Sequence, residues 1–163
     1  MNRVQAAIGS TLFFFLAPGT VAGFIPWLIT RWALPQSNTL TVAGAILTPA
    51  ALAMLIECFA RFALKGLGTP APIAPTKHLV VSGLYRFVRN PMYVAVLGLV
   101  IGQTLIFQST ALAVYAFVPW LGFHTFVFFY EEPTLRRSFG DEYERYCKAV
   151  PRWLPRLTPW RDA

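Results

Sequence analysis

Most of the residues that could bind or transform a ligand lie in two short blocks that are far apart in the sequence. The first block, residues 78–93, has the sequence HLVVSGLYRFVRNPMY, with two arginines, two tyrosines and an Asn-Pro pair. The second block begins with the acidic pair Glu131 and Glu132 and ends with Val-Pro-Arg at residues 150–152. Carboxylates and guanidinium groups bind ligand groups of opposite charge, and tyrosine rings bind cations over their faces. The same residues also fit a structural role, because arginines and tyrosines are common at membrane boundaries and acids favour the start of a helix.

The elements that must position these blocks are those of a membrane protein. The chain has 163 residues, of which 56% are hydrophobic and only 13% are charged, and its mean hydropathy is +0.52. Soluble domains carry about 25% charged residues, so this chain lacks the charged surface that a soluble protein with a large core needs. Its apolar residues also come in long runs, as lipid requires. We therefore expect an all-α integral membrane protein that forms one domain, residues 1–163.

Four apolar segments predict about four transmembrane helices. The first is too long for the apolar region of a signal peptide, so we expect it to remain as a helix. The third is short and reaches only about 24 Å. Only Gln108 and Ser109 separate the third segment from the fourth, which predicts a tight helical hairpin. The expected spans are residues 6–29, 40–64, 92–107 and 110–130. Four prolines inside them predict kinks: Pro18, Pro26, Pro49 and Pro119.

The basic residues predict the orientation of these helices. All lysines and arginines except Arg31 lie at the N-terminus, in or near residues 61–90, or after residue 130. Because cytoplasmic loops are enriched in Lys and Arg, we expect both termini, the loop 65–91 and the tail 131–163 to be cytoplasmic, in a prokaryotic inner (plasma) membrane. The net charge of +7 then favours membrane lipids as partners rather than nucleic acid.

The tail predicts an amphipathic helix that starts near Pro133, since proline fits the first position of a helix. Its apolar side chains recur at three- and four-residue spacing, so they share one face that should pack on the bundle or on the membrane surface. The residues of this face are Leu135, Phe139, Tyr143, Tyr146, Cys147 and Val150.

The hairpin of the last two spans should bring the two blocks together, because its ends return to the same face of the membrane. A second feature of that face is Glu57, the one acid within a span, with Arg61 four residues later in the favourable order for a helical ion pair. A structural pair and a role in substrate binding are both open for Glu57.

The two blocks resemble the isoprenylcysteine carboxyl methyltransferase and phospholipid methyltransferase superfamily. The matching pattern is G-x-Y-R-x-x-R-N-P-x-Y, followed after a hairpin by E-E-x-x-L-x-x-x-F-G-x-x-Y-x-x-Y and then V-P-R, and it covers about residues 77–155. The resemblance implies a methyltransferase that uses S-adenosyl-L-methionine and acts on a lipid-soluble or amphipathic acceptor, with a cofactor pocket at the cytoplasmic end of the hairpin.

Carried over by position, the resemblance also implies individual roles. The adenosyl part of the cofactor would lie against the start of the first block. Either Lys77 or His78 occupies the position where members of the family often have histidine. The expected cofactor-binding residues are His78, Leu79, Val80, Tyr85, Asn90, Pro91, Met92, Tyr93 and Glu131, and the expected catalytic residues are Arg89, Glu131 and Glu132. The scattered cysteines and histidines predict neither a disulfide nor a metal site.

One departure from the family bears on the acceptor. The prenylcysteine enzymes place an arginine shortly before the acidic pair, whereas residues 124–130 here are HTFVFFY. Of that stretch only His124 could meet a carboxylate, so we expect a neutral, amine-like or thiol acceptor. Two alternatives stay open: an NADPH-dependent enzyme like the sterol reductases, which share an Arg-x-Pro-x-Tyr turn, and a small membrane protein without catalytic activity. The oligomeric state is not predicted.

Overall fold

The computed structural model describes residues 3–61, 79 and 81–161, with side chains described from residue 8 onward. All regular structure in these ranges is helical and none is strand, which confirms the all-α class. Part of the predicted loop, including Lys77, His78 and Val80, lies outside the described residues. The elements in chain order are α1 (Arg3–Leu16), a π-helical turn (Thr20–Phe24), α2 (Ile25–Thr30), α3 (Thr39–Arg61), a 3-10 turn (Gly83–Arg86), α4 (Pro91–Phe107), α5 (Thr110–Tyr115), α6 (Phe117–Phe126), a second π-helical turn (Val127–Glu131) and α7 (Glu132–Ala149).

Three stretches of helix in the described chain are long and apolar enough to cross a membrane. They are Ile8–Thr30, Thr39–Arg61 and Thr110–Ala149. The predicted third span corresponds to α4, which has 17 residues and is therefore about 25 Å long, less than the ~30 Å of a bilayer's hydrocarbon core. The membrane-protein class is thus supported, while the count of four spans stays a prediction.

The first span contains a π-helical turn where the sequence predicted a kink at Pro26. The amide of Ile25 donates to the carbonyl of Thr20, five residues back, so the carbonyls of Val21 and Ala22 lose their usual helical partners. The hydroxyl of Tyr115 donates to Val21 at 2.9 Å, and Nε2 of Gln103 donates to Ala22 at 2.7 Å. Neighbouring helices thus satisfy the backbone that proline frees, which lipid could not do.

Helices α3 and α4 pack closely because glycines line their contact. A Cβ atom built on Gly44 would lie 2.5 Å from the carbonyl oxygen of Gly102 and 2.8 Å from the amide of Ile106. Any larger side chain at position 44 would therefore push the helices apart. Small residues at such contacts are the usual means of helix association in membranes. The packing continues into a core that includes Leu55, Cys58 and Val100, which are almost fully buried.

The end of the last helical stretch differs from the prediction. The sequence predicted a span that ends near residue 130 and a separate tail helix from Pro133, but the helix continues through the acidic pair. The amide of Glu132 donates to Val127, five residues back, so the π-helical turn lets α7 restart with Pro133 in its first turn, where no N–H is needed. The break comes later, at Gly140, whose φ of 50° and ψ of −125° are not helical.

The tail folds back on the first block through its apolar face. Tyr143, Tyr146 and Val150 are buried in a second hydrophobic cluster. The cluster also contains the other residues of the predicted face, the last residue of α7 and partners from outside the helix, namely Leu135, Phe139, Cys147, Ala149, Leu79, Val81 and Trp160. The amphipathic face therefore packs against the loop before α4 and against the C-terminal segment, residues 151–161.

Candidate functional site

The first block forms a tight turn that contacts the end of α3 and leads into α4. Gly83 has a φ of 58°, and a Cβ atom there would overlap the Arg61 guanidinium and the Glu57 carboxylate. Both the backbone conformation and the lack of space therefore require glycine. Glu57 and Arg61 form an ion pair at the end of α3. The structure thus makes this pair a support for the turn, and a substrate role for Glu57 stays untested.

Tyr93 and Glu131 connect the two blocks. The Tyr93 hydroxyl donates a hydrogen bond of 2.8 Å to Oε2 of Glu131. The Tyr93 ring also stacks on Phe123, with 4.8 Å between the ring centroids. Tyr93 lies in the first turn of α4 and Glu131 in the π-helical turn before α7, so the hairpin brings its two ends together as the sequence predicted.

Glu132 is buried and hydrogen-bonds two arginines, while Arg136 lies within ion-pair distance, 3.8 Å from its Oε2. Its side chain is 3% exposed, and its Oε1 accepts from Nη1 of Arg89 at 2.9 Å and from Nε of Arg152 at 2.7 Å. Its Oε2 accepts from Nη2 of Arg152 at 2.9 Å. These bonds to Glu132 raise the pKa of the Arg152 guanidinium above its usual value. Burial makes such a cluster stable only while every member is present.

The C-terminal segment is fastened along the turn by backbone hydrogen bonds. The amide of Arg89 donates to the carbonyl of Pro151, that of Arg156 to Phe87, and that of Trp160 to Arg86, each at 2.9 Å. Side chains reinforce this contact. Nδ2 of Asn90 donates to the carbonyl of Arg152 at 3.1 Å, Nε of Arg86 to Trp160 at 2.6 Å, and the Tyr146 hydroxyl to Tyr85 at 2.7 Å.

A cleft of about 600 Å³ lies beside the turn. Its lining carries charges of both signs, together with apolar side chains and Ser82. The Oγ atom of Ser82 is buried without a partner in the part of the chain that the structure describes. The lining includes Arg61, Leu79, Ser82, Arg86, Glu142 and Arg161.

The structure places the predicted cofactor-binding residues in two groups. Tyr85, Met92, Tyr93 and Glu131 lie within the helix bundle, where Tyr85 and Met92 belong to the main core. Leu79 lies on the other side of the turn, in the tail's cluster and at the cleft. Asn90 and Pro91 are buried where α4 begins and shape the turn between the groups. His78 and Val80 fall outside the described residues.

The predicted catalytic residues are also placed. Arg89 and Glu132 bind each other, and Arg89 Nη1 also donates to Sγ of Cys147 at 3.0 Å. These contacts place Arg89 and Glu132 together but do not test a catalytic role, which stays a prediction. Sequence reasoning missed Arg152 as the main partner of Glu132. The Val-Pro-Arg end of the motif contained that arginine, but nothing in the sequence indicated which acid it meets.

Comparisons with known proteins show which family the chain is similar to. A family model described as phospholipid methyltransferase matches residues 38–142, more than half of the chain. A protein-S-isoprenylcysteine O-methyltransferase of Schizosaccharomyces pombe is 36% identical over 78 residues, which is 47% of this chain and 33% of that protein. The matched part thus spans about a third of the relative's length. No solved structure matches the chain significantly.

Proposed function

The chain belongs to the phospholipid methyltransferase family, and we propose that this membrane methyltransferase takes its methyl group from S-adenosyl-L-methionine and transfers it to a lipid-soluble or amphipathic acceptor. The observation that carries the proposal is the junction of the two motif blocks. Tyr93 hydrogen-bonds Glu131 and Arg89 pairs with Glu132 across the helical hairpin. Tyr93 and Glu131, which the resemblance assigned to the cofactor site, are therefore close in space, and so are the predicted catalytic residues Arg89 and Glu132.

The chemistry of these residues fits that cofactor, which carries an ammonium, a carboxylate, a sulfonium and an adenosyl group. Glu131 can accept from the ammonium or from ribose hydroxyls, and the Tyr93 ring beside it can face the sulfonium. Arg86 lines the cleft, and its guanidinium has donors besides the Nε that bonds Trp160, so it suits the carboxylate. Leu79 offers apolar contact to the adenosyl group, together with His78 and Val80 by resemblance.

Arg89 and Glu132 support the reaction best as positioning residues. Both oxygens of Glu132 already accept from guanidinium groups, and the carboxylate is buried. The pair fixes the start of α4 to the start of α7, and so it holds Tyr93 and Glu131 at hydrogen-bonding distance. A change in either residue would displace that pair without removing a group that touches the cofactor.

When bound, the cofactor supplies a methyl group on a positively charged sulfur. That methyl group would pass to a lone pair of the acceptor, with the electron pair of the carbon–sulfur bond left on sulfur. The protein's residues have to align the two partners and exclude water, since such a displacement needs no covalent nucleophile from the enzyme. The buried turn and the C-terminal segment fastened over it suit that task.

The apolar surroundings of the acidic pair support a lipophilic acceptor. Phe123, Phe126, Phe128 and Phe129 precede Glu131 on the same helical stretch, and residues 123–130 contain no Arg or Lys. A neutral, amine-like or thiol acceptor therefore fits better than a carboxylate. We place the site on the cytoplasmic face with both termini, because the basic residues collect there.

Cofactor binding by the purified full-length protein tests the proposal most directly. Labelled S-adenosyl-L-methionine should bind in detergent or nanodiscs, and unlabelled S-adenosylhomocysteine should displace it while NADPH should not. Binding of NADPH instead would favour a reductase-like function, and binding of neither would favour a non-catalytic membrane protein.

A further inference from the structure

Three aromatic rings form a stack where the C-terminal segment meets α6. His124 lies between Trp120 and Trp153, with centroid distances of 5.6 Å and 6.0 Å and interplanar angles of 23° and 27°. Trp120 and His124 are one turn apart on α6, whereas Trp153 comes from the C-terminal segment. The segment that closes the cofactor turn therefore also reaches the helix that precedes Glu131.

Two ring nitrogens of this stack are buried without a hydrogen-bond partner among the described residues. They are Nδ1 of His124 and Nε1 of Trp153. Buried polar atoms without partners are rare because their desolvation is not compensated. A wholly apolar ring at either position would avoid that cost. Neither nitrogen takes part in the cofactor contacts described above, so the pair needs another explanation.

We propose that His124 and Trp153 form a subsite that hydrogen-bonds an ester carbonyl oxygen of a lipid acceptor, and this inference rests on the proposed methyltransferase function. An indole N–H can only donate, so its missing partner must be an acceptor atom. A histidine nitrogen in the protonated tautomer can donate to the same kind of oxygen. The two rings stack on each other, so both nitrogens belong to one local site.

An uncharged oxygen fits this subsite better than a carboxylate or a phosphate. Arg152 is the cation nearest in sequence to Trp153, and its guanidinium binds Glu132 through two nitrogens. His124 precedes Glu131 by seven residues, which is about 10 Å along a helix. An acceptor held by an ester carbonyl at His124 would therefore extend its reactive end toward Glu131. Trp120 is 46% exposed on the outer side of the stack, so a lipid could approach from the bilayer.

The test compares two lipids and three variants that keep a ring at each position. A short-chain diacyl phosphatidylethanolamine and its dialkyl ether analogue, which lacks the carbonyls, are titrated into the purified full-length protein, and binding is followed by native mass spectrometry. We expect the wild type to bind the diester with about tenfold higher affinity than the ether, because one good hydrogen bond contributes about that factor. His124→Phe and Trp153→Phe should each remove the preference, while the control Trp120→Phe should retain it.

Thermal stability provides the second measurement. His124→Phe should keep or raise the melting temperature, because it removes a buried unpaired polar atom and nearly conserves the ring volume. Equal binding of the two lipids by the wild type, a retained preference in Trp153→Phe, or a lowered melting temperature of His124→Phe would overturn the subsite. Cofactor binding is measured in the same samples. Its absence from the wild type would contradict the methyltransferase function, while an ester preference would still be detected.

Discussion

At the scale of single residues, the two adjacent glutamates of the site have different surroundings. Glu131 accepts one hydrogen bond from the neutral Tyr93, so its charge is not neutralised by the contacts described there. Glu132 is nearly inaccessible and accepts from Arg89 and Arg152. The π-helical turn ends between them, and consecutive helical residues point about 100° apart. Glu131 is therefore suited to a ligand and Glu132 to holding protein segments together.

Two isosteric substitutions should separate these roles. Glu131→Gln should weaken the affinity for S-adenosyl-L-methionine by about tenfold or more and change the melting temperature little, because it removes a charge that faces the ligand. Glu132→Gln should instead destabilise the protein by about 3–5 kcal/mol, because it leaves two guanidinium groups without their carboxylate. Cofactor titration and thermal unfolding in the same detergent measure both effects.

A control for both variants is Glu144→Gln on the same helix. Glu144 is about half exposed and pairs only with the exposed Arg136 among its described contacts, so its loss should change neither affinity nor stability appreciably. Unaltered affinity in Glu131→Gln together with Tyr93→Phe would return these residues to a structural role. Normal stability of Glu132→Gln would contradict the charge cluster.

At the scale of helices, the largest deviation from a regular pattern is the break within α7. The apolar spacing of the tail continues through Gly140, so periodicity predicts a single helix there. The backbone at Gly140 turns instead, and no atom lies within 4 Å of a Cβ placed on it. Its importance is therefore conformational, and it lets residues 141–149 return to the turn before α4.

Replacing Gly140 by alanine tests this point. Alanine disfavours a φ of 50° by roughly 1–2 kcal/mol, so Gly140→Ala should straighten α7 or strain the break and lower the melting temperature. Gly122→Ala is the matched control, since its Cβ also meets nothing within 4 Å but the residue lies in regular helix α6, where alanine is favoured. Equal melting temperatures of the two variants would show that the break does not depend on glycine.

The sequence predicted the helices where composition and apolar periodicity indicate them, but not the local breaks that depend on tertiary contacts. Apolar runs located the spans, and the hairpin brought Tyr93 and Glu131 together as expected. The π-helical turn of the first span was not predictable, because the carbonyls freed there accept from Tyr115 and Gln103 through tertiary contacts. The partnership of Arg152 with Glu132 was missed for the same reason, since it depends on how the C-terminal segment folds back.

At the scale of the whole molecule, the helices separate two ends with different polar contacts. At one end, the loop before α3 is tied to the hairpin turn between α4 and α5: Nδ2 of Asn38 donates to Oε1 of Gln108 at 3.0 Å, and Nε2 of Gln108 to the carbonyl of Gln36 at 3.4 Å. At the other end lie the charged pairs of Arg89 and Glu132 with the C-terminal segment. The cofactor site and the loop at Gln36 should therefore face opposite sides of the membrane.

The distribution of basic residues predicts which end of the helices faces the cytoplasm, and labelling of single cysteines tests this orientation. Starting from a variant without Cys58 and Cys147, Gln36→Cys and Arg137→Cys each introduce one thiol at an exposed position. A membrane-impermeant maleimide applied to intact cells should label Gln36→Cys, whereas Arg137→Cys and His78→Cys should react only after permeabilisation. The reason is that basic residues are retained on the cytoplasmic side, and Arg31 is the only one near Gln36. Labelling of His78→Cys from outside alone would overturn the orientation and the cytoplasmic cofactor site together, because a water-soluble cofactor made in the cytoplasm could not reach that face.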